Sequence, residues 1–481
     1  MIARRGLLAA PLLLAAPALR AQSFTLRQDL FVAPGLREGV LIRWGDRVTF
    51  DAPDWTPARP TAEAAAAQFG WDARIVALIP SPEASDGVPR AVLVVAHPTV
   101  DAAMAFPGGR DIPAVAGAMQ GATLVNVARR GGTWVVVDGG FQNRRLTAAT
   151  LCRIGTDGGP AAGIVGVTGG CVTPWGSVLL AEGGAAAWVG RLPGLESSTT
   201  GMLVEVDPSD PVSVPVKRAA PGRFGAVDAA AGLAADGRAV VWMVDGRPGG
   251  YLYRFLSNDT AGARALDAGR MAAARFEGGS LRWLPLPEGD PLAAARGVGA
   301  TALDQPWAVA LDAQRQRLCV ATRGGAGQAF ALRAAAGDLA SETGIAETLL
   351  QGREAPAQPP ARRGEAPTPV PAWPWAPASL AFDGAGALLV GTDRGARPGA
   401  LPEAFYRVPT EGADRGQPSL LMAVPVGAAA SGAAVTADGT LLAAVAHPGA
   451  TPGANWANPA TRWPAFRADE PPRSTIMLLG R

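Results

Sequence analysis

The chain has 481 residues, 48% of them hydrophobic, with 61 Gly, 43 Pro and two His, which is length enough for one large core or two domains. Its 43 basic and 41 acidic residues leave a net charge of +2, and loss of a leader carrying Arg4, Arg5 and Arg20 turns the balance slightly negative, so no basic footprint for nucleic acid remains. Two imidazoles, His97 and His447, are too few for a zinc site of several histidines, and a metal would have to be held mostly by oxygen.

At the N-terminus, Met1-Ile2-Ala3-Arg4-Arg5-Gly6-Leu7-Leu8 places paired arginines before an apolar run that reaches Ala18, followed by small residues up to Ala21. Residues 1–21 read as a twin-arginine export leader whose apolar part is too short to span a bilayer. No later segment offers the ~18 uncharged apolar residues of a membrane span. The mature protein is therefore expected in the periplasm or secreted, as a monomer with no membrane span.

Thr61 to Gly70 is alanine-rich and predicts a short helix inside an insertion. Further on, Arg144 and Arg145 are consecutive, and neighbouring strand residues point to opposite faces, so at most one of them enters any central channel. Cys152, Cys171 and Cys319 are an odd set for an oxidising compartment, and the spacing does not say which two would pair. Cys171 lies beside Thr173-Pro174-Trp175-Gly176; it is a candidate thiolate for a metal, with a buried apolar role as the alternative.

Four later segments look alike. Leu233 to Arg238 precedes Ala239 to Val244; Leu311-Asp312 precedes Leu318 to Thr322; Phe382-Asp383 precedes Leu388 to Thr392; Thr436 to Gly439 precedes Leu441 to Ala446. Each reads as a strand, a polar turn and a second strand, with Asp-Gly pairs supplying the positive φ values of tight hairpins. Repeats roughly 55 to 80 residues apart fit blades of an all-β propeller that carry insertions. Residues 355 to 377, ending Trp373-Pro374-Trp375-Ala376-Pro377, are proline-rich and read as an insertion between blades, because the hairpin pattern resumes at once afterwards. A single domain over 22–481 follows. Trp307, Trp373 and Trp375 are candidates for lining a pocket for a hydrophobic or sugar-like ligand, with packing as the alternative.

An ordered set of motifs resembles the PhoX-type secreted alkaline phosphatases through almost the whole mature chain. The landmarks include Gly39-Val40-Leu41-Ile42-Arg43-Trp44-Gly45-Asp46, Gln68-Phe69-Gly70-Trp71, Phe141 to Thr147, Thr173-Pro174-Trp175-Gly176-Ser177, Gly222-Arg223-Phe224, Tyr251 to Phe255 and His447-Pro448-Gly449. The resemblance implies a six-bladed β-propeller with inserted loops and short helices. It also implies export by the twin-arginine route and phosphoester hydrolysis with calcium and iron at one end of the channel.

Against that family pattern the expected ligands are largely replaced. Ala96-His97-Pro98 stands for Asn-His-Glu, Glu182-Gly183 for a Glu-Glu pair, and Gly225-Ala226-Val227 for Lys-His-Glu. Val244-Asp245-Gly246 keeps one acid of Gly-Asp-Asp. Asp304-Gln305-Pro306-Trp307 replaces an Asp-Arg-Pro-Glu run, in which the arginine resembles a phosphate clamp; Gln305 offers no charged fork. Pro377-Ala378-Ser379-Leu380 stands for Pro-Asp-Asn-Leu, and Gly449-Ala450 for Gly-Glu. Loss of most anionic donors leaves a hard cation's dehydration uncompensated. No residue is assigned as catalytic. Glu182, Asp245, Asp304, His97 and His447, with Cys171, are the candidates for a residual site. Two expectations follow: a catalytically degenerate propeller that binds a small molecule or phosphoester without needing a cofactor, or a phosphomonoesterase with a reduced calcium and iron site.

Overall fold

The apolar runs within Arg238–Val244, Arg317–Thr322, Leu388–Thr392 and Leu441–Ala446 are buried on both faces, as strands must be when the sheets that contain them stack face to face. A computed structural model describes residues 26–82, 85–355, 372–395, 397, 399 and 401–480; the segment expected to be an export leader and most of the proline-rich stretch lie outside the described residues. Each of these runs pairs antiparallel with a preceding strand, and the resulting hairpins are the inner halves of four blades. Two further hairpins, Arg74–Pro80 with Arg90–His97 and Gly169–Val172 with Val178–Ala181, complete the set.

The innermost strands, in chain order, are Arg74–Pro80, Gly169–Val172, Asp228–Leu233, Pro306–Asp312, Pro377–Phe382 and Ala429–Val435. Each packs against the next and the last packs against the first, so six blades close round one axis. The fold is a six-bladed β-propeller. We number the blades in that order. Blade six is sealed by the N-terminal strand Arg37–Arg43, which pairs antiparallel with Thr475–Gly480. Blades three and four are joined at their rims, where Ser280–Pro285 pairs with Thr343–Gln351. The proline-rich stretch falls between blades four and five, and both of its flanks belong to the same ring.

Six strands converging on one axis leave little room for side chains, and the innermost strands are accordingly small: Asp228-Ala-Ala-Ala-Gly, Gly169-Gly170-Cys171 and Ala429-Ala-Ser-Gly-Ala-Ala. Gly432 shows the limit, since a Cβ there would collide with the backbone of Ile75 in blade one.

Insertions emerge at the end of the ring opposite the hairpin turns. The expected helix is present at Ala62–Ala67, capped by Thr61, whose Oγ1 accepts from Ala64 N–H at 3.2 Å. With Ala102–Ala105 and Pro113–Met119 it joins Trp44, Trp71, Phe106 and Trp188 in an apolar cluster over that end. No helix among the described residues is long and apolar enough to cross a membrane.

Candidate functional site

In every blade the second strand runs from the hairpin turn to the insertion end and there breaks from an apolar run onto a polar side chain. In blade order these are His97, Glu182, Asp245, Arg323, Asp393 and His447. This end is the channel mouth, and all five sequence candidates lie at it, Asp304 standing just before the innermost strand of blade four, beside Gly324.

His97 is fully buried. Its Nδ1 meets the Asp72 carbonyl, its Nε2 lies 2.7 Å from Thr123 Oγ1, and Phe69 packs edge-on against the ring. Burial, reinforced by the charge of Arg145, holds its pKa well below the ordinary histidine value, so both nitrogens of a neutral ring are already engaged. Glu182 is also fully buried. Lys217 Nζ donates to Oε1 at 2.8 Å, Val165 N–H to the same oxygen at 3.2 Å, and Gly201 N–H to Oε2 at 3.0 Å. Asp245 is gripped by both arms of Arg247, at 2.8 and 2.6 Å. Asp304 is exposed; its carboxylate lies over Gly324 and has no ion-pair partner among the described residues.

His447 has the most distinctive environment. Its backbone is at φ 35°, a region that non-glycine residues seldom occupy. Its ring stacks on Trp71 at 6.3 Å, and Nδ1 lies 3.2 Å from Asp72 Oδ1. Asp72 is held in turn by Ala73 N–H at 2.9 Å and the Thr99 hydroxyl at 3.0 Å. Burial disfavours the imidazolium, but the Asp72 carboxylate outweighs it and, with Asp393 and Asp101, lifts His447 to about 8. Asp393 itself pairs with Arg323 at 2.9 Å.

A charge pair that the sequence reading missed lies where the innermost strands begin. Arg74 donates to Asp228 at 2.9 Å, both side chains being buried. Asp228 also accepts from Gly170 N–H at 2.9 Å and Val309 N–H at 3.2 Å, while Arg74 donates to the Ala378 carbonyl at 3.1 Å. Two side chains thus tie together blades one to five. The available signal was the recurrence of a charged residue where an apolar strand meets the mouth, as in Thr322-Arg323-Gly324 and Thr392-Asp393-Arg394-Gly395.

The remaining candidates are placed as follows. Cys152, Cys171 and Cys319 are all free thiols. Cys171 packs against the Leu179 cluster, and burial holds its thiol far above the ordinary range. Arg145 is buried on Thr123 and the carbonyls of Ala118 and Gln120, whereas Arg144 points away to the Asp207 carbonyl. Trp307 packs beside Val227 and Gly246, and the Arg323 guanidinium covers its ring at 3.1 Å. Trp373 and Trp375 donate to the carbonyls of Gln351 and Gly325 and are faced by Arg353 and Arg394.

The profile of the alkaline phosphatase PhoX family matches residues 20–449. The chain belongs to the PhoX alkaline phosphatase family. The structure of Pseudomonas fluorescens PhoX in complex with vanadate, a transition state analogue, is 23% identical over 96% of this chain and 98% of that one, with a TM-score of 0.80. At that score the two share the propeller. A gluconolactonase of Xanthomonas campestris is 11% identical over 85% of this chain and 97% of its own, with a TM-score of 0.34. The search of curated proteins finds no match.

Calcium and iron are the metals that likeness to PhoX implies. Calcium takes about six to eight oxygens, and no three of the His, Cys, Asp and Glu side chains among the described residues converge as such a set. Glu182, Asp245 and Asp304 are not brought to one ion, and the first two already spend their oxygens on Lys217 and Arg247. The donor set does not fit the PhoX metals.

Proposed function

We propose that this PhoX-family propeller is exported by the twin-arginine route as a single-domain monomer, has lost phosphoester hydrolysis, and uses its channel mouth to bind a small molecule without a metal cofactor. One observation carries the reading: five mouth carboxylates are each joined to a basic side chain of the chain itself. The pairs are Glu182 with Lys217, Asp245 with Arg247, Asp228 with Arg74, Asp393 with Arg323 and Asp72 with His447. A cation would have to displace those partners and leave their charges unpaired, at a cost that grows with burial. Without a bound metal there is no polarised phosphoryl oxygen and no activated nucleophile of the kind metal phosphoesterases use.

The second reading, a phosphomonoesterase with a reduced site, is favoured by two particulars. Asp304 is exposed and has no ion-pair partner among the described residues, and Arg247, which holds Asp245, is itself half exposed to solvent. Protein exported and folded in its own host separates the two. Substoichiometric metal by mass spectrometry and no turnover of p-nitrophenyl phosphate is the expected result; stoichiometric iron together with hydrolysis would overturn the first reading.

A further inference from the structure

The loop between the strand Arg37–Arg43 and the helix Ala62–Ala67 folds over Phe69 and Met119 and leaves a cleft of about 180 Å³ at the insertion end, apart from the charge pairs of the mouth. That is smaller than the roughly 300 to 1,000 Å³ of sites for drug-sized ligands and leaves room for a single small ring. Its wall is built before any ligand arrives. Trp55 stands edge-on to Trp44 at 5.5 Å and is backed by the Arg473 guanidinium at 4.0 Å, and a side chain at Gly45 would collide with the Trp55 ring.

Gln68 makes this more than an apolar hollow. It is 5% exposed, and its Nε2 donates to the Pro53 carbonyl at 2.8 Å. Its Oε1 has no protein partner among the described residues and is not sealed off, so it opens onto the cleft it lines. A nearly buried acceptor left open in this way favours a ligand that brings a donor. At the rim stand Asp54 and Arg59, both exposed and neither in an ion pair among the described residues. One acid and one base together select neither an anion nor a cation, and they offer an acceptor and a donor.

An apolar floor, one deep acceptor and a rim of both polarities match a ring with a C–H face and hydroxyls round its edge. We propose that this cleft binds a pyranose of an uncharged saccharide. The C–H face lies against the aromatic floor, one hydroxyl donates to Gln68 Oε1, and others meet Asp54 and Arg59. The inference does not rest on the metal content of the channel, so each survives the failure of the other.

The test uses the full mature chain, calorimetry and saturation-transfer NMR. The probes are the methyl pyranosides of glucose, galactose, mannose and N-acetylglucosamine, with cyclohexanol as an apolar ring of similar size. At least one glycoside should bind saturably and more tightly than cyclohexanol. Asp54→Ala, at an exposed position, should weaken it on the order of tenfold with an unchanged melting temperature, and Gln68→Met should weaken it further. The proposal is overturned if none of the four glycosides saturates, if cyclohexanol binds as tightly, or if Asp54→Ala leaves the affinity unchanged.

Discussion

At the hairpin end of the ring, Asp236, Asp312 and Asp383 each accept hydrogen bonds from backbone N–H groups of their own turns. At the mouth, by contrast, Arg74, Arg323 and His447 each reach a carboxylate on another blade or on the segment that feeds one. Two hairpin-end contacts do cross between blades: Asp438 accepts from Trp134 Nε1 and pairs with Arg129 of blade one, and Arg317 of blade four pairs with Glu411 of blade five. The two ends have therefore been solved by different means. A turn that satisfies itself locally can be repeated from blade to blade with the same residues. A charge pair between blades depends on what each neighbour offers, so no two need look alike, and the end that can carry a site is the end that does not repeat.

The sharpest way to break this contrast is at the axis. Asp228→Ala leaves the Arg74 guanidinium buried without a counter-charge and should cost about 3–5 kcal/mol in urea unfolding. The double variant Arg74→Met with Asp228→Leu should recover most of that loss, because no unpaired charge remains. A single-variant cost below about 1 kcal/mol would mean that the mouth pairs do not clamp the blades.

At the other end Asp383→Ala removes an acceptor for Ala385 and Ala387 N–H and a partner of Arg407; a loss of about 1–2 kcal/mol is expected in the same assay. Gly237→Ala, at φ 84°, should cost about 1 kcal/mol. If these turn variants equalled Asp228→Ala, the two ends would not differ in how tightly they couple the ring.

The smallest effect concerns pH. His447 is raised from 6.5 to about 8 by Asp72, so its contribution is fully present below pH 6.5 and is lost as pH rises through 8. With part of the ring open to solvent, that contribution is on the order of 1 kcal/mol. Melting temperatures measured at pH 6 and pH 9 should fall further for the native chain than for His447→Gln. Equal falls would remove the Asp72 contact from the mouth's cross-links.

Three of the four hairpins were legible because Asp, Gly and an apolar run lie within a few residues of one another; the fourth, at Asp312, has no glycine, and Gln316 takes the positive φ of 48°. The two that escaped follow the same rule less openly: Asp86 accepts from Val88 N–H at 3.0 Å in one, and Thr173 closes on Ser177 in the other. The innermost strands were harder to read, since runs such as Asp228-Ala-Ala-Ala-Gly carry little strand propensity and are small because the axis is crowded. At the mouth the recurring charged residue at each strand end could be read, but which charges pair could not. Arg74 and Asp228 are 154 residues apart and Asp72 and His447 are 375 apart, and no spacing rule connects residues that meet only when the ring closes. The family landmarks, read in order along the chain, did lead to the correct fold.

Lys217, the only lysine, has its side chain wholly enclosed, with Nζ held by Glu182 and the Thr199 carbonyl at 2.8 Å each. Amine-directed reagents therefore meet no lysine side chain on the folded surface, and coupling chemistry of that kind is left with the α-amino group at the chain's N-terminus. Acylation at this position becomes a clock instead. Its rate counts how often the second blade opens far enough to release one ammonium group, in a molecule with no other lysine to obscure the signal.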